Sequence, residues 1–287
     1  MRTNMKTALA SLPPLRDVIA RASMDARKSL GQHFLLDLNL TAKIARAAGD
    51  LSETGVIEVG PGPGGLTRAI LMETPRELIA VERDWRCHEV LGSLVEASQG
   101  HLRLIEADAL ETDLASLCPA PRAIIANLPY NIATPLLIAW LRQTPAFSVM
   151  ILMFQAEVAR RLVAAPRSKD YGRLSVLTQW LMNAECLFEL PPRAFTPPPK
   201  VTSAVVRLTP RNEEAVDQAL FSAMEKVTAA AFGQRRKMLR SSLKTLFPDT
   251  EKTLEAIGIA PTARAEEIGW EGFRTLALLV RNAHSHP

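Results

Sequence analysis

The stretch that most constrains this chain is Val56-Ile57-Glu58-Val59-Gly60-Pro61-Gly62-Pro63-Gly64-Gly65-Leu66-Thr67, where a β-branched run stops at a glycine-rich turn and a helix begins at Leu66. Gly60, Gly62 and Gly65 satisfy G-x-G-x-x-G, a spacing that lets backbone approach a ligand closely at the end of a strand. Further apolar runs of strand length lie at Leu78 to Glu82, Leu102 to Glu106, Arg122 to Ala126 and Ser148 to Phe154. They predict an α/β domain, in which ligands bind at the carboxyl edge of the sheet. Cys186 to Leu190 and Ser203 to Leu208 are two more strands with no helix between them, which predicts an antiparallel pair closing the sheet.

The strand ends carry the chemistry. Glu82 follows the turn by about 20 residues and is placed to accept from both hydroxyls of a ribose, so the two features together point to an adenosine-containing cofactor. Glu58, just before the turn, would oppose a pyrophosphate but accept from a cationic amino group. Asp108 follows the next strand and offers a carboxylate to an adenine amine. An ammonium, a ribose and an adenine without phosphate describe S-adenosyl-L-methionine better than NAD, and a nicotinamide oxidoreductase is the competing class. Each carboxylate taken singly would also serve as a helix cap.

The run Arg122 to Ala126, bounded by Pro121 and Pro129, ends in Asn127-Leu128-Pro129-Tyr130. The Asn127 amide accepts through its oxygen and donates through its NH2. Pro129 lacks an N–H and holds Leu128 extended, which leaves the carbonyls of Leu128 and Pro129 to face a ligand. Tyr130 adds a flat π-face, so the tetrad suits a planar base with an exocyclic amine. Phe195, held by Pro197-Pro198-Pro199, is expected as a second ring opposite Tyr130, because unstacked bases are commonly gripped between aromatic faces. Such an amine is a poor nucleophile, its lone pair being delocalised into the ring. Acceptors that draw its hydrogens out of plane let positioning and electrostatics carry the transfer without a strong base.

The 287 residues, 47% of them hydrophobic, are enough for one large and one small domain. Lys plus Arg number 34 against 30 acidic residues, a net charge of +4 that permits a nucleic-acid partner without demanding one. Gln234 to Lys244 concentrates the positive charge in Arg235, Arg236, Lys237, Arg240 and Lys244 and contains no acid; Arg193 to Arg211 is also acid-free. Leu239 and Leu243, four apart, predict a helix over Arg236 to Leu246 with a buried edge and a phosphate-binding outer face. The chain after Pro210 reads as all-helical, and the loop Pro166 to Arg173 as exposed at the rim of the site. Cys87, Cys118 and Cys186 are scattered, which gives neither a disulfide framework nor a metal site. No apolar stretch approaches the roughly 20 residues that span a bilayer, and Met1 to Ser11 reads as a loose basic extension. A cytoplasmic protein without a metal is expected.

Lys28 to Leu35, Glu58 to Thr67, Glu82, Asp108, Asn127 to Tyr130, Phe195 to Ser203 and Arg235 to Lys244, in this order and spacing, resemble the ribosomal RNA adenine dimethyltransferase family of the KsgA type. The resemblance runs from about Ala26 to Val280. It implies a class I, Rossmann-like methyltransferase sheet of seven strands with a small C-terminal all-helical domain. The implied divisions are an extension at 1–26, an S-adenosyl-L-methionine-dependent domain at 27–210 and an RNA-binding domain at 211–287. It places Gln32, His33 and Leu35 in a lid over the cofactor, with Gly60, Gly62, Glu82, Asp108 and Asn127 as further cofactor contacts. The implied catalytic set is Asn127, Leu128, Pro129, Tyr130 and Phe195, and the implied RNA contacts are Arg235, Arg236, Lys237, Arg240 and Lys244. His33 departs from the family pattern, which often has Asn there. The implied activity is transfer to the N6 amines of two adjacent adenosines in the 3′-terminal hairpin loop of 16S rRNA, within a small ribosomal subunit precursor, by a monomeric enzyme. A resistance-type methyltransferase of large-subunit RNA and an assembly factor acting mainly by binding are the alternatives.

Overall fold

The computed structural model describes residues 2–21, 33–212, 214–234 and 236–283. It begins with two helices, α1 (Arg2–Ser11) and α2 (Leu15–Arg21), and α1 replaces the loose extension expected over Met1 to Ser11. The cause is a short apolar pair: Met5 and Leu9, four apart on one helical face, are both 0% exposed. The Arg68 guanidinium then donates to the carbonyls of Pro13 at 3.2 Å and of Ala10 and Leu12 at 3.4 Å, tying the turn after α1 to the body of its unit.

The chain continues through β1 (Phe34–Leu35) and α3 (Leu38–Arg46), whose first backbone N–H groups are capped by the Asp37 carboxylate. The glycine turn joins β2 (Gly55–Val59) to α4 (Gly65–Met72). After it come β3 (Glu77–Glu82), α5 (Trp85–Ala97), β4 (Leu102–Glu106), β5 (Arg122–Asn127), α6 (Tyr130–Leu141) and β6 (Val149–Gln155). With α7 (Ala156–Val163), α8 (Arg173–Leu181), β7 (Met182–Leu190), β8 (Phe195–Thr196) and β9 (Ser203–Pro210), the strands form a sheet of seven in the order β4-β3-β2-β5-β6-β9-β7. β2 through β6 pair in parallel and β9 runs antiparallel to β6. The remaining strands, β1 and β8, form their own antiparallel pair.

This order fixes where a ligand can sit. The chain builds outward from β2 to β3 and β4, then returns to lay β5 on the other side of β2, so the loops leaving β2 and β5 diverge and open a crevice. β2, β5 and β6 are buried nearly throughout, as strands of a sheet covered on both faces must be.

Two compact units result: Met1–Ala156 with Glu185–Thr209, and Glu157–Ala184 with Pro210–Pro287. The helical unit thus takes α7 and α8 as well as α9 (Gln218–Gly233), α10 (Leu239–Ser242), α11 (Thr250–Ala256) and α12 (Trp270–Ala283), in place of the expected single cut near residue 210. Contacts within that unit explain the difference. Trp180 meets Phe221 with ring centroids 5.8 Å apart, and the Tyr171 hydroxyl donates to the Ile268 carbonyl at 2.8 Å. Tyr171 is 1% exposed and anchors the loop to its unit, while Pro166, Arg167, Lys169 and Arg173 are exposed as expected.

The expected helix Arg236 to Leu246 contracts to α10, because Met238 is extended and bridges Arg264 in place of starting a helical turn. Its apolar edge is nonetheless in place, since Leu239 and Leu243 are both buried. If α1 is held by its buried pair, Leu9→Ala will destabilise the protein by about 2–4 kcal/mol, the usual cost of a buried Leu-to-Ala change. Urea unfolding measures this, and a change below about 0.5 kcal/mol, the scale of a surface substitution, would show that α1 contributes no packing.

Candidate functional site

Within the first unit, a cavity of about 470 Å³ opens at the carboxyl ends of β2, β3, β4 and β5 and is lined by Gly60, Gly62, Glu82, Asp108, Asn127 and Tyr130. The structure therefore brings residues spread over 70 positions of sequence to one place, and His33, Leu128 and Pro129 share the lining. The turn adopts a backbone that favours glycine: φ is +69° at Gly60 and +55° at Gly62. A Cβ at Gly65 would lie 2.4 Å from the Leu35 carbonyl oxygen, so the third glycine of the motif serves close packing between α4 and β1.

Glu82 holds this half of the site together. One carboxylate oxygen accepts from the Gly62 N–H at 3.3 Å and the other from the Asp84 N–H at 2.8 Å. Burial raises its pKa, and the Asp84 and Gly62 N–H groups oppose that shift. Each oxygen keeps a lone pair, so the acid remains able to accept from a diol. Asp108 accepts from the Arg83 guanidinium at 2.9 Å and from the Leu110 N–H at 3.0 Å.

On the other side, Asn127 donates from Nδ2 to the His33 carbonyl at 2.9 Å. A carbonyl only accepts, so the NH2 must point to it, and Oδ1 is left as an acceptor with no partner among the described residues. No described residue donates to the Leu128 carbonyl. The Pro129 carbonyl, expected to face a ligand, is instead taken by the N–H groups of Ile132 and Ala133, both at 3.1 Å, as α6 begins. The Tyr130 hydroxyl lies 2.6 Å from Ser203 Oγ. Burial raises the Tyr130 pKa, which keeps the phenol neutral.

Other expectations fail on geometry. Phe195 is 3% exposed, belongs to the hydrophobic core and does not line the cavity, so it provides no second face for a base. Leu35 is likewise buried, paired with Phe195 across the β1–β8 ladder and away from the lining. Gln32 and Arg235 lie outside the described residues. Arg236, Lys237, Arg240 and Lys244 are exposed in the helical unit, where Arg240 is matched by Glu251 at 3.1 Å. The sequence reasoning missed Phe34, Arg83, Trp85 and Leu110, which all line the cavity. Arg83 and Trp85 were reachable as the residues just after Glu82; Leu110 carried no signal of its own.

The model of a family described as ribosomal RNA adenine dimethylase matches residues 23–281. The ribosomal RNA small subunit methyltransferase A of Rhodospirillum rubrum is 59% identical over 274 residues, covering 96% of this chain and 94% of the relative. That of Paramagnetospirillum magneticum is 60% identical over 269 residues, covering 94% and 95%. Among solved structures, a dimethyladenosine transferase from Plasmodium falciparum has a TM-score of 0.76 at 25% identity, covering 88% of this chain and 98% of that one. The 23S rRNA methyltransferase ErmE has a TM-score of 0.64 at 28% identity, covering 86% and 99%.

Glu58 sits in the middle of the buried sheet, 1% exposed, and its Oε2 has no hydrogen-bond partner among the described residues. Burial pushes its pKa from 4.5 up to about 8, with the Thr67 hydroxyl opposing and the Glu82 charge adding to the shift. Near neutral pH it is therefore a protonated acid, and the negative charge expected to oppose a pyrophosphate is not present in this state. A folded pKa above the unfolded one means that the native state holds a proton which the unfolded chain has released. This contribution to stability is full below pH 4.5 and is lost as pH rises through about 8. Urea unfolding across that window will show wild type losing stability relative to Glu58→Gln, at up to about 1.4 kcal/mol per pH unit. Parallel pH profiles for the two proteins would contradict the assignment.

Proposed function

Because the chain belongs to the ribosomal RNA adenine dimethylase family, we propose that it transfers methyl groups from S-adenosyl-L-methionine to the N6 amines of two adjacent adenosines in the 3′-terminal hairpin loop of 16S rRNA, giving N6,N6-dimethyladenosine. The single observation that supports this best is the Asn127 amide, locked with its acceptor oxygen free in a cavity that also holds Glu82 and Asp108. A cavity of about 470 Å³ is within the range of small-molecule sites, and two carboxylates at strand ends suit a cofactor with a ribose and an adenine better than one with a pyrophosphate. Glu82 would hold the ribose hydroxyls and Asp108 the adenine amine. When bound, the cofactor supplies an electrophilic methyl group on a sulfonium.

The protein's own part is positioning. Asn127 Oδ1 and the Leu128 carbonyl accept the two N–H bonds of the target amine and draw them from the ring plane, while Tyr130 stacks on the base. After one transfer a single N–H remains, and either acceptor still orients it for the second. In the helical unit, exposed Arg236, Lys237 and Lys244 would meet RNA phosphates. No helix among the described residues is long and apolar enough to cross a membrane, and we place the protein in the cytoplasm with the small-subunit precursor as its partner. The small-subunit relatives at 59% and 60% identity favour this target over a large-subunit RNA, against 28% for ErmE.

Mass spectrometry of nucleosides from undermethylated small subunits incubated with the protein and labelled S-adenosyl-L-methionine tests the proposal. Dimethyladenosine at two neighbouring positions is expected. Asn127→Ala should lose most of this activity while retaining much of its cofactor affinity. A persistent monomethyl endpoint, or label in large-subunit RNA alone, would contradict the assignment.

A further inference from the structure

The cofactor lid implied by the resemblance gives the His33 side chain no role of its own, yet this residue touches three others from two separate segments. Its carbonyl receives the Asn127 NH2 at 2.9 Å, its Nδ1 lies 2.8 Å from the Pro197 carbonyl, and its ring faces Tyr130 with centroids 5.6 Å apart at 31°. The ladder next to it explains why. Phe34 pairs with Thr196 and Leu35 with Phe195, antiparallel, so the next residues along are His33 and Pro197. Proline has no N–H to offer the His33 carbonyl, and the ladder cannot be closed there through backbone alone. The carbonyl of His33 is thereby left for Asn127, and that of Pro197 for the imidazole.

We propose that His33 is a positioning residue: its Nδ1–H latches the start of β1 to the stiff proline loop and holds its ring against one face of Tyr130, which gives the slot for the target base its shape. This rests on the assignment of Tyr130 as the stacking surface for an adenine. A base inserted between two rings needs two gaps of about 3.4 Å, the rise of stacked bases. Separation of 5.6 Å with a 31° tilt leaves no such room, so His33 backs Tyr130 and the base takes the opposite face. The Tyr130 hydroxyl, 2.6 Å from Ser203 Oγ, fixes the far end of the ring. Because Pro197 offers only an acceptor, the imidazole must carry its proton on Nδ1. An Asn at this position would supply no ring.

Nitrogen-15 spectra of the imidazoles in the intact wild-type protein test the latch without reference to turnover. They should show His33 in the Nδ1–H form, and a neutral ring protonated at Nε2 alone would overturn the proposal. In parallel, His33→Ala and His33→Phe should each lower kcat on small subunits by about tenfold, the worth of one net hydrogen bond. Affinity for S-adenosylhomocysteine should stay within about twofold of wild type, since the latch acts on the base side. Wild-type turnover in either variant, or cofactor affinity falling in step with turnover, would overturn it as well. If wild-type protein modified no RNA at all, the proposed activity would fail, and the tautomer alone would decide the latch.

Discussion

The hydrogen bond from the Asn127 amide to the His33 carbonyl decides what this site can do. An unconstrained amide presents either a donor or an acceptor to its surroundings, and a bond to a group that only accepts removes the choice. The bond joins the carboxyl end of β5 to the residue before β1, 94 positions away in sequence. It therefore ties the orientation of an amide facing the cavity to the placement of His33. Were His33 to move away, Asn127 would lose both its anchor and its defined polarity.

The Glu82 side of the cavity is preorganised by a comparable economy of parts. Glu82 is held at both oxygens by backbone N–H groups, one from the glycine turn and one from the start of α5, so the acid fixes the turn and the turn fixes the acid. The topology makes this possible, because β2 and β3 are adjacent and parallel and deliver both ends to the same edge. The same packing buries Glu58 and strips it of charge, a cost that a sheet covered on both faces imposes on any acid within it.

Much of the fold could be read in the sequence, since strands buried on both faces appear as unbroken apolar runs and the glycine turn has few alternatives. What the sequence concealed depends on direction and on partners distant in the chain. The prolines after Phe195 suggest a base-gripping ring, but proline neighbours fix a backbone without fixing which side a residue faces. Alternation along β8 turns Phe195 inward and leaves Thr196 exposed. The Pro129 carbonyl reads as a substrate acceptor in the sequence, but α6 starts at Tyr130 and uses it in its first turn. Helix α1 is hard to read in the sequence because two apolar side chains four apart are a weak pattern without the surface that receives them. The five cations of Gln234 to Lys244 looked single-signed because Glu251, which answers Arg240, comes later in the chain.

On the proposed function, Asn127 acts through a fixed polarity and not merely by placing an oxygen near the substrate. Asn127→Asp separates these, because a carboxylate keeps the acceptor but cannot donate to the His33 carbonyl and sets two oxygens against each other. The direct measurement is the single-turnover rate of methyl transfer to small subunits at saturating S-adenosyl-L-methionine. A fall on the order of 100-fold, as for loss of one preorganised group in an active site, is the predicted result. A rate close to wild type would show that the tether to His33 is dispensable and would contradict the account.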